Sequence, residues 1–99
     1  MIPIGTEVEW RNPGREWEPV KRGVVIAHLP PGQRLSRVIP PGTPRSRIRG
    51  EDLSIHRRYV VAVRKPQGKV TYYYTPVAQQ LERQFAERNE SGAVPDHAR

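Results

Sequence analysis

The sequence contains no cysteine and has few apolar residues for its length. Its 99 residues are 35% hydrophobic and include 11 prolines, and the mean hydropathy is -0.74. Without cysteine the chain can form no disulfide and no thiolate ligand or nucleophile, which is common in a reducing cytoplasm. The start of the sequence does not resemble a secretory leader, and no apolar run is long enough to span a bilayer. We therefore expect a soluble, cytoplasmic protein without membrane contact, stabilised by one modest core.

Acidic residues are missing from the middle of the chain. Residues 21–50 contain seven Lys or Arg and no Asp or Glu, and the whole chain has a formal net charge of +7. A one-sided field of this kind attracts polyanions, whereas a merely solubilising surface mixes both signs. Because the charge is sorted by segment, we favour a charged partner over a solvated surface.

Four segments have the alternation or the β-branched composition of strands: residues 6–10, 20–29, 59–64 and 69–74. In the first, alternation places Val8 and Trp10 on one buried face. In the second, Gly23 predicts a bulge or a sharp bend. The last two are joined by residues 65–68, whose composition predicts a hairpin turn led by proline.

One helix is expected after the last strand. Thr75 and Pro76 supply an N-cap and a first-turn proline. Apolar residues then recur at helical spacing as far as Asn89: Val77, Ala78, Leu81 and Phe85. Residues 90–92 are expected to stop the helix, and residues 91–99 to form a flexible tail.

A long connection rich in proline, glycine and arginine, residues 30–58, joins the second and third strands. Its residues 30–38 and 40–48 repeat one pattern, Pro-Pro-Gly followed by Ser-Arg and a β-branched residue. Long connections in compact domains are more often functional or disordered than idle. Because few of its residues are apolar, we expect residues 30–49 to be an appendage of the core and not part of it.

Four or five short strands with tight turns and one terminal helix predict a mainly β fold, specifically a small SH3-like β-barrel. We expect a single domain over residues 1–90, with a long basic loop over 30–58 and the helix at its C-terminal end. The tail over 91–99 is expected to lie outside this domain.

Parts of the sequence resemble known small proteins. Similarity to the first two strands of KOW and Tudor-type barrels is carried by Gly5-x-x-Val8-x-Trp10 and Lys21-Arg22-Gly23-Val24-Val25. Tudor domains bind methylated side chains in aromatic cages, so the resemblance would imply such a cage if three rings converged. Similarity to small bacteriophage and mobile-element proteins, which implies no activity, is carried by Arg22-Gly23-Val24-Val25, Tyr59-Val60-Val61 and Tyr74-Thr75-Pro76.

The candidate site is a set of basic residues in and around the long connection. Arginine forks bind phosphate oxygens bidentately, and a basic arm can follow a nucleic-acid backbone. Five of these cations lie in the loop, two lie at its far end and two belong to the second strand: Arg34, Arg37, Arg45, Arg47, Arg49, Arg57, Arg58, Lys21 and Arg22. The alternative is that they are solvated or pair with Glu16, Glu18 and Glu51.

Exposed rings would support the same function, because single-stranded nucleic acid stacks its bases on aromatic side chains beside positive charge. Alternation along residues 72–74 places Tyr73 outside if Tyr72 and Tyr74 line the core. Trp17 lies in a charged run and is the second candidate, whereas Trp10 is expected in the core. Burial is the competing interpretation of each ring.

We therefore expect a non-enzymatic nucleic-acid-binding module that needs no cofactor and no metal. The histidines are scattered, and the sequence has no zinc-protease motif, phosphate loop or serine elbow. One alternative is an adaptor or inhibitor, of the kind phages encode, that binds an acidic protein surface. The catalytic alternative is a metal-independent, toxin-like ribonuclease in which His28 or His56 acts with Arg58 in acid–base chemistry. His97, in the tail, is given no role.

Overall fold

In the residues that the structure describes, the chain forms one sheet and one helix. The computed structural model describes residues 1–65 and 68–97, with side chains as far as residue 89. The elements in chain order are β1 (Glu7–Trp10), β2 (Lys21–Leu29), β3 (Ile48–Arg49), β4 (Arg58–Arg64), β5 (Thr71–Tyr74) and α1 (Ala78–His97). The four predicted strands correspond to β1, β2, β4 and β5, and β3 lies within the long connection. Two short 3-10 turns, Leu35–Arg37 and Arg45–Arg47, precede β3.

The sheet is mixed and strongly curled. Its strand order is β1-β2-β4-β5-β3, and all neighbouring pairs are antiparallel except β3 and β5, which are parallel. A mainly β fold with a C-terminal helix, predicted from the sequence, is confirmed. The curl brings the ring of Trp10 on β1 to 5.8 Å from the ring of Tyr74 on β5. Within the described residues, however, β1 and β3 do not pair, and the sheet is not closed into a barrel.

Gly23 is needed for a different reason from the predicted one. Of the bulge or sharp bend predicted at Gly23, the bulge is not found there: the register of β2 against β4 shifts between Val25 and Ala27, so the irregularity lies at Ile26. At Gly23 itself, a Cβ atom would overlap the backbone carbonyl oxygen of Ala62. A glycine inside a strand often marks such a close approach of two backbones.

The helix covers one face of the sheet and encloses the first core. Its buried members come from the N-terminus, from three strands and from the first turns of the helix: Ile2, Val8, Trp10, Val25, Tyr59, Val61, Ala78 and Leu81. Val8 and Trp10 therefore share a buried face, as their alternation predicts. Ala78 and Leu81 are buried and Phe85 packs against them, so the helical spacing of these residues is confirmed.

Tyr59 ties the N-terminal segment to the helix through this core. Its hydroxyl oxygen accepts a hydrogen bond from the backbone N–H of Ile2 at 2.8 Å and donates one to the carboxylate of Glu82. The ring of His28 meets the Tyr59 ring edge-on, with centroids 5.3 Å apart, and its Nε2 lies 2.8 Å from the Ile2 carbonyl oxygen. The polar tip of a buried tyrosine is thereby satisfied.

A second core lies on the opposite face of the sheet, and the long connection builds it. Leu35 and Ile39 pack there against Leu29 of β2 and Val60 of β4, and Leu35 is 0% exposed. The prediction that residues 30–49 form an appendage is therefore wrong. The segment has few apolar residues, but they are placed so that they cover the face of the sheet that the helix leaves open.

The sequence repeat is also a structural repeat. In each copy the glycine has a positive φ, +83° at Gly32 and +80° at Gly42, and a 3-10 turn follows. The copies differ in what they present, because the buried Leu35 of the first copy corresponds to the exposed Arg45 of the second. The first copy thus packs into the core, whereas the second displays arginine at the edge of the sheet.

The helix extends beyond its predicted end. It begins at Ala78, whose backbone N–H donates to the Arg57 carbonyl oxygen at 2.9 Å, and it runs to His97. The prediction of an end at Asn89 is wrong; a glycine such as Gly92 costs only about 1 kcal/mol relative to alanine and need not end a helix. Residues 98–99 of the predicted tail, and residues 66–67 of the predicted hairpin turn, lie outside the described residues.

No helix in the described part of the chain has both the length and the apolar character needed to cross a bilayer.

Candidate nucleic-acid interface

Several of the basic residues predicted as phosphate contacts are held by acidic side chains. Arg22 Nε lies 2.7 Å from a carboxylate oxygen of Glu9, and Arg34 Nη1 lies 2.8 Å from Asp52. These acids are not the Glu16, Glu18 and Glu51 considered from the sequence. Exposed ion pairs contribute little to stability, but each neutralises the field of its arginine at the surface.

The pair of Arg34 and Asp52 fastens the first copy of the repeat to the chain that follows it. Asp52 accepts hydrogen bonds from Arg34 and, at 3.0 Å, from the backbone N–H of Ser36. The Ser36 N–H, followed by the Arg34 side chain, holds the pKa of the Asp52 carboxyl below its ordinary value. The backbone N–H of Leu35 donates to the Asp52 carbonyl oxygen as well. Arg34 therefore has a structural partner and a structural role.

Arg57 and Arg58, predicted as phosphate contacts at the end of the loop, are engaged by the fold. Arg57 Nη2 donates to both carboxylate oxygens of Glu82, at 3.1 Å each. Arg58 donates through Nε to Ser54 Oγ at 2.8 Å and through Nη1 to the Thr75 carbonyl oxygen at 2.7 Å. Both side chains are half-buried. Arg57 joins the residue before β4 to α1, and Arg58 joins β4 to the segments that precede β4 and α1.

The Glu82 carboxylate gives the fold a dependence on pH. The hydrogen bond from Tyr59, followed by that from Arg57, holds the pKa of Glu82 below its ordinary value, and burial raises the pKa of Tyr59. A carboxyl with a lowered pKa in the folded state stabilises that state above its unfolded pKa, about 4.3. This stabilisation is lost as the pH falls through the lowered folded value.

Replacing Glu82 with Gln should lower the melting temperature by about 5 °C at pH 7, consistent with a loss of about 1 kcal/mol. The difference from wild type should shrink as the pH falls below about 4, because Glu82 of the wild type is then protonated. Thermal melts from pH 3 to pH 7 measure it. Glu87→Gln, an exposed site on the same helix, is the control and should match wild type throughout. A constant difference between Glu82→Gln and wild type over this range would contradict the assignment.

A second group of cations surrounds β5, and we call it the basic edge. It consists of Arg47 in the second copy of the repeat, Arg49 just after that copy, Lys65 and Lys69 in the connection between β4 and β5, and the rings of Tyr72 and Tyr73. None of these four cations forms an ion pair with an acidic side chain in the described part of the chain. Their charge is therefore available to an external anion.

On the helix face of the sheet, two cations of the basic edge lie over Tyr72. Arg49 Cζ is 5.0 Å from the centroid of the ring, and Lys65 Nζ is 5.5 Å from it. Attraction between a cation and a ring face holds such long side chains in place. Nearby on the same face, Lys21 Nζ lies 5.8 Å from the Tyr74 centroid and 3.9 Å from Glu18. Lys21 and Arg49 line one cleft of about 370 Å³.

On the opposite face, Tyr73 lines a pocket of about 270 Å³ together with Arg47 and Lys69. Residues 40–44, which include the Pro-Pro-Gly turn of the second copy, also line it. The prediction that Tyr73 is simply the outward ring needs correction. Tyr73 is half-buried and packs against the second core, which the sequence interpretation did not include. The ring is thereby fixed at the pocket.

The other predicted residues lie apart from these two groups. Trp17 is 75% exposed, in the connection between β1 and β2, with Arg15 Cζ 6.0 Å from its ring centroid. Arg37 and Arg45 are exposed in the two 3-10 turns, and neither pairs with an acid in the described residues. Arg45 is the closer to the basic edge, because its turn packs against β5.

Lys65, Lys69 and Tyr72 were not among the binding residues predicted from the sequence. The predicted hairpin could have identified them, because lysines on the two sides of a tight turn lie close together and beside the tyrosines of β5.

Two of the three side chains proposed for the ribonuclease alternative, those of His28 and Arg58, are held by backbone and hydroxyl groups. His28 faces the Ile2 carbonyl, and Arg58 is bound by Ser54 and Thr75. His56 is exposed, and its backbone N–H donates to Ser54 Oγ at 3.0 Å. The side chain of His97 lies outside the described residues. Among the described residues, no group of three His, Asp or Glu side chains is placed to hold a metal ion.

Comparisons with known proteins return no match to a family model, to a curated protein or to a solved structure. In its described residues, the protein belongs to the mainly β class, with a mixed five-stranded sheet and a C-terminal helix.

Proposed function

We propose that the protein binds nucleic acid through the basic edge, without regard to sequence, by contacting phosphates with Arg47, Arg49, Lys65 and Lys69. The observation that carries the proposal is the sorting of charge on the folded chain. Described acidic side chains pair with Arg22, Arg34, Arg57 and other cations, whereas the four cations clustered around β5 have no such partner. Arg37 and Arg45 also lack an acidic partner in the described residues, but they lie outside this cluster. Phosphate contacts of this kind supply nearly all of non-specific nucleic-acid binding.

The two arginines of the basic edge favour phosphate over a simple carboxylate partner. A guanidinium presents parallel donors that match phosphate oxygens bidentately. Arg49 is held over Tyr72, and Arg47 is half-buried beside Tyr73, so both forks are restrained before any ligand arrives. Restraining a binding group in advance lowers the entropy that association must overcome.

As to the fold, we propose an open relative of the SH3-like barrels. The approach of Trp10 to Tyr74 across the curled sheet supports it. The cations of the basic edge lie on both faces of the curled sheet. This arrangement would suit a polymer that wraps around the basic edge.

Binding should be strongly dependent on salt. With four phosphates contacted, the logarithm of the association constant should fall with the logarithm of salt at a slope of about -3 on single strands and about -4 on duplex DNA. The test is a fluorescence anisotropy titration of labelled DNA and RNA at salt concentrations from about 25 to about 250 mM, from which the slope is obtained.

Absence of saturable binding at the lowest salt would refute the proposal and would favour an acidic protein surface as the partner of the same cations. Cleavage of the RNA probe in a chelator, abolished by His56→Ala, would instead establish the ribonuclease alternative.

A further inference from the structure

We propose that the pocket beside Tyr73 takes one unpaired nucleobase, so that the protein binds single-stranded nucleic acid in preference to duplex. This inference rests on the proposed function and adds the class of nucleic acid. It is drawn from the lining of the pocket: one aromatic ring, a rigid proline-rich turn, and two cations without an acidic neighbour.

The ring of Tyr73 is suited to stacking because it is already immobilised. It packs against the second core, whose buried members include Leu29 and Leu35, and it stands on the strand position that pairs with Ile48 of β3. A side chain fixed in this way loses little conformational entropy when a base stacks on it. Stacking on an aromatic side chain is favourable for every base, because each base has a π-face.

The Pro-Pro-Gly turn that lines the pocket together with Tyr73 is conformationally restricted. Gly42 has φ +80°, and the Thr43 side chain and backbone N–H both donate to the Pro40 carbonyl oxygen. Pro41 within this turn and Pro44 after it restrict the backbone, and both residues line the pocket. A flat group that enters the pocket beside Tyr73 therefore meets lining residues that need little rearrangement.

The cations at the pocket would meet the phosphates next to the inserted base. Arg47 and Lys69 both line the pocket, and no Asp or Glu is among its lining residues. A base within a duplex is paired and stacked, and extruding it costs a few kcal/mol. A base in a single strand incurs little of this cost. With about 270 Å³, the pocket has room for a small planar group and not for a paired helix.

Tyr72, on the opposite face of the same strand, provides an internal comparison. Its ring is occupied by Arg49 and Lys65, whereas Tyr73 has no cation placed over its ring in the described residues. Both tyrosines are half-buried on β5. Loss of the ring at position 72 should therefore have little effect on base stacking, and loss of the ring at position 73 should abolish it.

The first measurement uses the wild-type protein and three probes with the same number of phosphates: a single-stranded deoxyoligonucleotide, its abasic analogue, and a short duplex. Anisotropy titrations at fixed low salt give the three dissociation constants. The intact single strand should bind about tenfold more tightly than the abasic strand, because stacking of one base contributes about 1 to 3 kcal/mol. It should also bind more tightly than the duplex.

The second measurement compares Tyr73→Leu with the matched control Tyr72→Leu. Tyr73→Leu should lose about tenfold in affinity for the intact strand and keep wild-type affinity for the abasic strand. Tyr72→Leu should bind the intact and abasic strands in the same ratio as wild type does. Circular dichroism establishes whether Tyr73→Leu is folded; if it is not, the comparison of probes on wild type decides by itself.

Equal binding of the intact and abasic strands by wild type would overturn the base pocket and leave the phosphate contacts intact. The base pocket would also be overturned if a folded Tyr73→Leu variant lost the same factor in affinity for the intact strand and for the abasic strand. Failure of all three probes to bind would refute the proposed function itself, so the two failures are distinguishable.

Discussion

Replacing Arg47, Arg49, Lys65 and Lys69 together with Gln should reduce affinity for nucleic acid more than about hundredfold at low salt. Each charge-assisted hydrogen bond to phosphate contributes about 1.5 kcal/mol or more, and tenfold in affinity corresponds to about 1.4 kcal/mol. The salt slope measured on single strands should fall from about -3 to near zero. The fold should persist, because Arg49, Lys65 and Lys69 are exposed and the half-buried Arg47 pairs with no acidic side chain in the described residues. Substitutions at exposed positions usually change stability by less than about 0.5 kcal/mol each.

The matched control removes the same number of charges elsewhere, by the substitutions R15Q, R22Q, R83Q and R88Q. None of these arginines lines the Tyr73 pocket or lies over Tyr72. Three of them pair with Glu9 or Glu18. The control should therefore retain most of the affinity and the salt slope. Equal losses in the two variants would mean that total charge, and not the basic edge, determines binding.

The second large effect should come from the buried part of the long connection. Leu35→Ala should destabilise the protein by about 2 to 5 kcal/mol, the usual cost of removing a fully buried leucine side chain. Leu35, in the first copy of the repeat, is 0% exposed and packs against Leu29 and Val60 of the sheet. Since domains of this size are stable by only about 5 to 15 kcal/mol, urea denaturation should show a large shift of the midpoint.

Ile55→Ala is the control for this prediction. Ile55 lies in the same connection but is 85% exposed, so its truncation should change the free energy of unfolding by less than about 0.5 kcal/mol. If Leu35→Ala were as stable as Ile55→Ala, residues 30–49 would be the appendage that the sequence predicted. The second core would then contribute nothing to the stability of the fold.

The elements of the fold could be predicted where the sequence carries a local signal. Three local patterns carried such a signal: the alternation of Val8 and Trp10, the β-branched run of β2, and the helical spacing of Ala78, Leu81 and Phe85. Each pattern lies within a single strand or helix. The closure of the sheet could not be predicted in the same way. It depends on whether short edge strands from distant parts of the chain meet, and here β3 has only two residues.

The candidate site could be predicted only in part. The lack of acids in residues 21–50 correctly identified a basic segment, but it did not distinguish the arginines that the fold neutralises from those that it leaves available. Arg22 pairs with Glu9 and Arg34 pairs with Asp52, two acids that lie outside that segment, and pairs of this kind depend on tertiary contacts. Lys65 and Lys69 join the site because a hairpin turns back on itself.

The sequence by itself determined the mainly β composition, the C-terminal helix, the positive charge and the repeated Pro-Pro-Gly turns, since each follows from residues close together in the chain. Only the tertiary structure decided the rest. It placed Leu35 and Ile39 in a second core and set Arg47 and Lys69 beside Tyr73. It also left β1 and β3 without pairing to each other in the described residues. The physical reason is that burial and ion pairing depend on which distant segments meet, and a few well-placed apolar residues can order a segment whose average composition predicts disorder.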